Sequence, residues 1–332
     1  MNPGAARVLG LLRREAGAPC SGEGLSATLG VSRSQVWKHV ETLRGLGYEI
    51  GGEPGGGYAL SAVPDRLYAE EIQAGLETRW LGREIHWFDE TGSTNDVAHE
   101  LARGGASHGT VVIAEAQTKG RGRHGRAFFS PQYRNLYNTF VLRPEIHVSQ
   151  APTLVLAAAV AVADAVAEAV GDDHAVQIKW PNDVLLGGRK ASGILMELAS
   201  EATRVRYLVL GIGVNLNVER EAFPEEFRAV ATSVAAHRGA PIDRAAFARS
   251  LYGTLETVLD LHAEGGFDAV RPRFEARFHM VGRPIRVRDV GGPELAGTAE
   301  GIDADGALLV RDATGATQRV LAGDVTLREE PA

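Results

Sequence analysis

A run of alternating glycines and cations lies near the middle of the chain, in the segment Lys119-Gly120-Arg121-Gly122-Arg123-His124-Gly125-Arg126. Glycine lets the main chain approach a ligand closely, and arginine offers a planar fork of donors for phosphate or carboxylate. Clustered arginines repel one another and glycine costs backbone entropy, so this composition disfavours stability alone. The segment predicts a loop that binds a nucleotide, a carboxylate or a molecule carrying both; a flexible basic surface loop is the alternative.

Further polar clusters follow predicted strands, and the ends of strands are where α/β folds place their ligands. The clusters are Ser93-Thr94-Asn95, Lys179 through Asp183 with Lys190, and Asn215, while Gln117 stands just before the glycine–arginine loop. The sequence contains no evident nucleophile beside a base, no histidine pair at metal-ligand spacing and neither of the common glycine-rich phosphate motifs. These residue types predict a site that holds two anions together and does not itself attack a substrate.

The elements that must position these clusters alternate between strands and helices, which is typical of a mixed α/β domain. Strands are predicted over residues 86–88, 110–114, 136–142, 176–180, 184–186, 193–198 and 207–216. Helices are predicted from Asn95 to near Gly104, from Ala151 to Val170 and from Arg244 to Glu264, followed by a basic amphipathic piece to His279. Beyond Gly282, five closely spaced short strands predict a small barrel that closes its own edges.

The first 64 residues predict a different kind of domain. Apolar residues at helical spacing, serines at two helix starts and a glycine between the second and third helices predict a helix-turn-helix. Two short strands around the glycine-rich turn at 51–57 predict the wing of a winged helix. The third helix presents donors that can meet phosphates and base edges, so we expect DNA binding; a helical cap without DNA contact is the alternative. We expect Trp37, on the same helix, to pack.

Length and composition are those of an ordinary globular protein. The chain has 332 residues, 44% apolar and 23% charged, and its net charge of −7 argues against nonspecific nucleic-acid binding by the whole molecule. Cys20 is the only cysteine, which excludes an internal disulfide and favours a reducing cytoplasm. We expect no signal peptide, and Asp164 and Glu168 interrupt the apolar stretch from Leu154 to Val170, which favours a buried helix over a membrane span.

Taken together and in order, the motifs resemble those of biotin protein ligases. The resemblance rests on Ser93-Thr94-Asn95, Gln117 with the loop from Gly120 to Arg126, Lys179-Trp180-Pro181-Asn182-Asp183, Arg189-Lys190 with Ser192-Gly193-Ile194, and Gly211-Ile212-Gly213-Val214-Asn215. The run from Ser32 to His39 resembles the bifunctional ligases that also repress the biotin operon. The resemblance implies an α+β fold with a winged helix-turn-helix domain at 1–64, a ligase domain at 67–278 and an SH3-like barrel at 282–328.

The resemblance also implies a two-step reaction with biotin as substrate and ATP and Mg²⁺ as cofactors. Biotin and MgATP form biotinyl-5′-adenylate and pyrophosphate; a lysine amine of biotin carboxyl carrier protein then takes the biotinyl group and releases AMP. The implied partners are this carrier protein, operator DNA and a second copy of the chain in a ligand-linked homodimer, with no membrane. The lack of an enzyme nucleophile agrees with this chemistry, which first requires two anions to be neutralised and aligned.

Residue roles follow from the resemblance in four overlapping groups. The catalytic group is Arg121, Arg123 and Lys190. The biotin-binding group is Ser93, Thr94, Asn95, Gln117, Gly120, Arg121, Gly122, Arg123, Lys190 and Gly193. The group for ATP and adenylate is Arg123, Phe128, Lys179, Asp183 and Asn215, with Asp183 either a Mg²⁺ ligand or the partner of a lysine. The DNA-binding group is Ser32, Arg33, Ser34, Gln35, Lys38 and His39.

Two departures from the family pattern affect the glycine–arginine loop, which we expect to be a flexible lid over the adenylate. Phe128 stands where some bifunctional members have tryptophan, and His124 stands where arginine is common. Trp180 and Pro181 are expected to form a packed strand end.

Three other functions stay open from the sequence. The N-terminal domain could lack a regulatory role, which would leave a ligase only. A transcription factor could sense a ligand through a degenerate ligase domain, although retention of Arg121, Arg123 and Lys190 argues against it. A lipoate ligase would share the catalytic fold, but the Gly-Arg-Gly-Arg loop and the N-terminal domain favour biotin.

Overall fold

A computed structural model describes residues 1–53, 56–288 and 294–327. The chain divides into two compact units, Met1–Glu71 and Ile72–Ala332. The predicted ligase domain and the predicted C-terminal barrel belong to the same unit, while the predicted helix-turn-helix belongs to the other. Pro54 and Gly55, at the tip of the predicted wing, lie outside the described residues.

The first unit is a three-helix domain with a hairpin. Its elements are α1 (Pro3–Arg14), α2 (Gly22–Leu29), α3 (Arg33–Gly45), β1 (Glu49–Glu53) and β2 (Gly57–Ala62), and the two strands pair antiparallel. Ser21 and Ser32 cap α2 and α3, because their side chains accept hydrogen bonds from main-chain N–H groups in the first turn. Gly30 ends α2 with φ 66°, a left-handed conformation that favours glycine. The predicted winged helix-turn-helix is confirmed.

A seven-stranded sheet forms the centre of the second unit. Its strands are β3 (Ile85–Phe88), β4 (Val111–Ala114), β5 (Leu136–Leu142), β6 (Val176–Lys179), β7 (Asp183–Leu186), β8 (Arg189–Glu201) and β9 (Arg204–Val214). The spatial order is β3-β4-β5-β9-β8-β7-β6, with β3 and β4 parallel and the other neighbours antiparallel. Every residue of β4 and β5 is buried, so these strands form the core against which the site is built.

Helices accompany this sheet, and two long ones pack against each other. The helices are α4 (Ala69–Gln73), α5 (Thr94–Arg103), α6 (Ala151–Val170), α7 (Glu225–Arg228), α8 (Val234–Arg238) and α9 (Arg244–Arg277). α9 bends at Gly266, where φ is 65°, close to the predicted helix end at Glu264. Val148–Val170 is long and apolar enough to cross a membrane by composition, but 72% of its most apolar window is buried inside the fold, as in a core helix.

Five antiparallel strands form the C-terminal part of the second unit. They are β10 (Pro284–Arg288), β11 (Leu295–Ile302), β12 (Leu308–Asp312), β13 (Thr317–Val320) and β14 (Asp324–Leu327). The order is β13-β12-β11-β10-β14. The expectation that this barrel closes its own edges is not met by hydrogen bonding, since no ladder joins β13 to β14 among the described residues. The turn between β11 and β12 instead docks on the ligase domain.

Trp180 is the contact that anchors this turn. Its indole Nε1 donates to the carbonyl oxygen of Gly306 at 3.0 Å, and the ring is 2% exposed. Gly306 has φ 77° and lies so close to α6 that an added Cβ would be 2.7 Å from Leu156. The expectation that Trp180 packs is confirmed, and the same ring joins the C-terminal strands to the ligase domain.

Candidate active site

A cavity of about 660 Å³ opens beside the glycine–arginine loop, the β7–β8 hairpin and the start of β14. Its charged lining consists of five cations, Arg121, Arg123, Arg126, Lys179 and Lys190, and two carboxylates, Asp183 and Asp324. The surplus of positive charge suits an anionic ligand. The structure therefore brings together the cationic residues that the sequence places in three separate motifs.

Lys190 lies at the start of β8 with its side chain in this cavity. Its Nζ is 2.6 Å from Oδ1 of Asp183, at the start of the neighbouring strand β7. The main chain of Lys190 is fixed on the other side, where its N–H donates to the carbonyl of Val230 at 2.7 Å and its carbonyl accepts from Thr232 at 2.9 Å. The backbone is thus held by a hairpin and a crossing segment, and the ammonium group is oriented by a carboxylate. This ion pair is compatible with the expectation that Asp183 orients a lysine, and the alternative role as a Mg²⁺ ligand stays a prediction.

Gly193 and Gly213 face each other on β8 and β9 and form the floor of the site beneath Phe128. A Cβ on Gly213 would lie 2.6 Å from the ring of Phe128, and a Cβ on Gly193 would lie 3.1 Å from Cε of Lys190. A side chain at Gly213 would therefore displace the ring. The Phe128 ring borders both the charged cavity and a smaller one beside it.

The smaller cavity, about 30 Å³, has Arg121 at its edge and a wall of uncharged polar groups that includes Ser93, Thr94, Asn95 and Gln117; we call it the uncharged pocket. Oε1 of Gln117 accepts from the main-chain N–H of Thr94 at 2.9 Å and from its hydroxyl at 3.0 Å. The hydroxyl of Thr139, below them on β5, lies 2.8 Å from Oγ1 of Thr94 and 2.7 Å from Oδ1 of Asn95. This wall of hydroxyl and amide groups suits a neutral polar ring and offers little to an anion.

Arg121 does not lie free in the charged cavity. Its guanidinium donates two hydrogen bonds to Asp96 on α5, at 3.0 and 2.6 Å, and comes within 3.3 Å of Glu197 on β8. The hydrogen bonds to Asp96, followed by the nearby charge of Glu197, raise the pKa of Arg121. Arg121, a predicted catalytic residue, thus connects the loop to Asp96 and Glu197 at the edge of the uncharged pocket.

Arg123 and Arg126 bind the C-terminal strands instead. Arg123 donates to the carbonyl of Gly323 at 3.1 Å and to the side chain of Asn182 at 3.3 Å. Arg126 lies 2.5 Å from Asp324, which is also 3.8 Å from Arg123. Asp324 is therefore shared by two arginines.

The glycines of the loop differ in whether the structure leaves room for a side chain at their positions. A Cβ on Gly120 would lie 2.6 Å from Oγ of Ser130 and 2.8 Å from the carbonyl of Phe128, so the two ends of the loop can meet only if residue 120 has no side chain. Gly122 has no such neighbour, since the nearest atom to its added Cβ is 3.8 Å away. His124, at φ 55°, and Gly125, at φ 71°, form the left-handed turn at the tip.

Asn215 is buried, and its amide is engaged within the fold. Its Nδ2 donates to the carbonyl of Thr232 at 3.1 Å, and its Oδ1 accepts from Asn135 at 3.3 Å. It borders a third cavity, about 100 Å³, with an aromatic lining of Phe128, Phe129, Phe223 and Phe227. Asn215 would therefore contribute to the predicted adenylate binding by holding the residues of this aromatic lining in place.

Lys179 and Asp183 end the first strand and begin the second strand of a hairpin, and both line the charged cavity. No ion-pair partner of Lys179 is found in the described part of the chain. Within residues 1–53, 56–288 and 294–327 no group of three His, Cys, Asp or Glu side chains could hold a metal ion. Asp183 and Asp324 are the carboxylates that line the charged cavity.

The predicted DNA-binding residues lie at the start of α3, in the first unit. Arg33, Ser34 and Lys38 are exposed and free to contact a ligand surface. Ser32 caps the helix, with its Oγ accepting from the N–H of Gln35 at 3.2 Å. Gln35 and His39 are partly buried and contact each other at 3.3 Å. Half of the predicted group therefore presents donors outward, and the other half shapes the helix.

Trp37 lies on the outward side of α3 and is 51% exposed. The expectation that it packs is wrong. Val36 and Val40, four residues apart, are fully buried and form the inner stripe of the helix, and Trp37 follows Val36 by about 100° around the helix axis.

Comparison with known proteins agrees with this geometry. Residues 87–215 match the biotin/lipoate A/B protein ligase family, residues 281–328 the biotin protein ligase C-terminal domain, and residues 5–59 an HTH domain. The bifunctional ligase/repressor BirA of Bacillus subtilis (strain 168) is 38% identical over 307 residues, which cover 92% of this chain and 93% of that protein. The chain belongs to the biotin protein ligase family.

Other relatives extend this assignment. BirA of Escherichia coli (strain K12), also a bifunctional ligase/repressor, is 33% identical over 308 residues, 93% of this chain and 92% of that protein. The structure of the Aquifex aeolicus biotin protein ligase in complex with biotin and ATP superposes with a TM-score of 0.64 at 28% identity, and covers 75% of this chain and all of that one. The α+β fold class, the biotin–protein ligase activity and the helix-turn-helix of the bifunctional members are confirmed; the residue roles stay predictions.

Several residues of this biotin protein ligase site were missed by sequence reasoning. They are the carboxylates that hold the loop arginines and the hydroxyls that support the uncharged pocket: Asp96, Glu197, Asp324, Ser130 and Thr139. Asp96 directly follows the predicted Ser-Thr-Asn motif, and an acidic residue beside that motif was a usable signal. Ser130 and Glu197 closely follow the loop and the Ser192-Gly193-Ile194 motif, whereas Thr139 and Asp324 belong to no motif and nothing local indicates them.

Proposed function

We propose that this protein activates biotin with ATP and transfers the biotinyl group to a lysine of biotin carboxyl carrier protein. The observation that carries the proposal is that an uncharged polar pocket and a cation-lined cavity meet at Gly193. The ureido head of biotin suits the hydroxyl and amide groups of the pocket, and its carboxylate and the ATP phosphates suit the cations of the cavity. Biotin laid across Gly193 would bring its carboxylate to Lys190.

In the first step, a carboxylate oxygen of biotin bonds to the α-phosphorus of ATP. The bond from that phosphorus to the β-phosphate oxygen breaks, and pyrophosphate leaves. Both reacting groups are anions, so cations between them lower the barrier by offsetting their repulsion and holding them in line. Lys190 and Arg123 would supply this charge. The ion pair of Lys190 with Asp183 keeps the ammonium in place before any ligand arrives.

In the second step, the amine of the acceptor lysine bonds to the biotinyl carbonyl carbon and loses a proton, and AMP leaves with the anhydride oxygen. Between the steps the mixed anhydride must be kept from water. The loop from Lys119 to Arg126 would do this as a lid, with Arg123 on the phosphate and Phe128 on the floor of the site.

Mg²⁺ would arrive with the nucleotide. This ion usually keeps several waters and is bound through substrate phosphates and one or two carboxylates. Asp183, one of the two carboxylates that line the charged cavity, fits that pattern, and Mg²⁺ would supply charge neutralisation on the phosphates.

Biotin-dependent exchange of labelled pyrophosphate into ATP tests the first step. We expect exchange with biotin and Mg²⁺ and far less with lipoate. Pyrophosphate exchange that requires lipoate and does not respond to biotin would indicate a lipoate ligase and contradict the proposal.

We propose as well that the protein is a biotin-responsive repressor that acts as a homodimer in the cytoplasm. The exposed donors Arg33, Ser34 and Lys38 on α3 and the two BirA relatives support DNA binding. A mobility-shift assay on the biotin operon of the source organism, with and without biotin and ATP, tests it. A ligand-dependent shift is expected. No shift under either condition would leave the ligase-only alternative.

A further inference from the structure

The beginning of the glycine–arginine loop is tied to two carboxylates that belong to different elements. Asp96 lies in the first turn of α5 and accepts two hydrogen bonds from Arg121, at 3.0 and 2.6 Å. Glu197 lies on β8, 3.3 Å from the same guanidinium, and accepts a hydrogen bond from Asn95 at 2.7 Å. Charge-assisted pairs of this kind are the stronger hydrogen bonds in proteins, and the fork of arginine fixes their direction.

The end of the loop is tied to the same pocket from the other side. Nε2 of Gln117 donates to Oγ of Ser130 at 3.2 Å, and Ser130 donates to the carbonyl of Phe128 at 2.9 Å. Gln117 also accepts from Thr94, whose hydroxyl lies 2.8 Å from Thr139. Oγ1 of Thr139 lies within hydrogen-bond distance of both Thr94 and Asn95 and has one proton to donate, so polar contacts connect Arg121 to Phe128 through this pocket.

Charge separates Arg121 from the other cations of the site. Two carboxylates face its one guanidinium, so the group as a whole is negative and gives little attraction to a further anion. Glu197 is also 3.7 Å from Nε2 of His99 on α5. Arg123, in contrast, shares Asp324 with Arg126 and lines a cavity whose cations outnumber its carboxylates. Arg121 therefore serves to hold the loop.

We propose that Asp96 and Glu197 are positioning residues that hold the glycine–arginine loop over the site through Arg121. Glu197 joins this anchor to the biotin pocket through Asn95. The part of the proposal that concerns retention of biotinyl-adenylate depends on the proposed ligase function; the anchoring of the loop does not.

The rate of cleavage by trypsin measures how firmly the loop is held, because the loop contains four cleavage sites, Lys119, Arg121, Arg123 and Arg126. The protein without ligand is compared with the double variant Asp96→Asn, Glu197→Gln, and cleavage within the loop is followed by mass spectrometry. Loss of two charge-assisted contacts should raise the cleavage rate about tenfold. The single variant Asp96→Glu, which keeps the charge, should remain within about twofold of the wild type.

Glu300→Gln is the matched control, since Glu300 pairs with Arg311 on the C-terminal strands, away from the loop. This control should leave loop cleavage unchanged, and thermal melting of each variant checks that the fold is intact. Equal loop cleavage in the double variant and the wild type would overturn the proposal, as would a similar increase in Glu300→Gln.

A second measurement follows release of biotinyl-adenylate. The double variant should release it about tenfold faster than the wild type, with a smaller change in the KM for ATP. Failure of the wild-type protein to form adenylate would contradict the proposed function. The trypsin result would then still decide whether Asp96 and Glu197 hold the loop. An unchanged release rate together with faster cleavage would reject the role in retention.

Discussion

The two halves of the candidate site satisfy their polar groups in opposite ways. In the uncharged pocket, Thr94, Gln117 and Thr139 already bond to one another, and each side chain has a partner within the protein. In the charged cavity, Lys179 has no ion-pair partner in the described residues, and Arg123 and Arg126 share Asp324. The smaller pocket is thus lined by side chains that mostly bond to one another, with Oδ1 of Asn138 left without a hydrogen-bond partner among the described residues, whereas the larger cavity has more cations than carboxylates.

This difference bears on what each half recognises. A neutral ring can exchange hydrogen bonds with a network that stays intact without it, so binding there selects shape and donor pattern. Anions are bound where cations remain incompletely compensated, because the ligand then supplies the missing charge. Substitutions in the charged half should therefore affect chemistry and adenylate retention, and substitutions in the uncharged half should affect selection of biotin.

The largest effect is expected from Lys190→Ala. Removing the ammonium that would contact both reacting anions should lower the rate of adenylation by about a thousandfold. The side chain is 38% exposed, so the fold should survive. Pyrophosphate exchange measures the rate, and circular dichroism checks the fold. Normal exchange in a folded variant would remove Lys190 from the mechanism.

Arg123→Ala should weaken retention of the adenylate. The variant loses the cation that we propose for the α-phosphate and the loop's contacts to Gly323 and Asn182, so we expect dissociation about 10- to 100-fold faster. Stopped-flow release of labelled adenylate measures it. An unchanged off-rate would show that the charged half does not hold the phosphate through this arginine.

Thr94→Val tests the uncharged half. The variant keeps the shape but loses the hydroxyl that donates to Gln117, so the KM for biotin should rise about tenfold while the KM for ATP stays nearly constant. Steady-state exchange at varied biotin and varied ATP separates the two. A parallel rise in both values would contradict the division of the site.

Gly213→Ala acts at the border between the halves and should have the smallest effect of the four. The new Cβ would lie 2.6 Å from the Phe128 ring, which must move. Because that ring borders both cavities, the KM values for biotin and ATP should both rise, each by about threefold. A change confined to one substrate would assign Phe128 to one half only.

Sequence reasoning could identify the chemistry of the site because the residues that carry it lie in compact motifs. The glycine–arginine loop, Lys190 and the Ser-Thr-Asn cluster each indicate their function through residue type and spacing. The strands that deliver them also follow from local patterns, since β5, from Leu136 to Leu142, is rich in aromatic, β-branched and leucine residues.

Pairings between distant elements could not be predicted in this way. Arg121 contacts Glu197, 76 residues away, and Arg123 contacts Gly323, 200 residues away. Such contacts depend on how the sheet and the C-terminal strands come together, which no local pattern encodes. The exposure of Trp37 was missed for a related reason: a large apolar residue predicts burial on average, and a binding surface is the exception to that average.

The most direct test of the account is transfer to the carrier protein in competition. The purified protein is mixed with MgATP, biotin and lipoate at equal concentrations and the organism's biotin carboxyl carrier protein, and the products are identified by intact-mass spectrometry and AMP assay. We predict one biotinyl group on one carrier lysine, with one AMP released per transfer and no lipoyl adduct. Lipoyl transfer, or biotin transfer without AMP, would contradict the account.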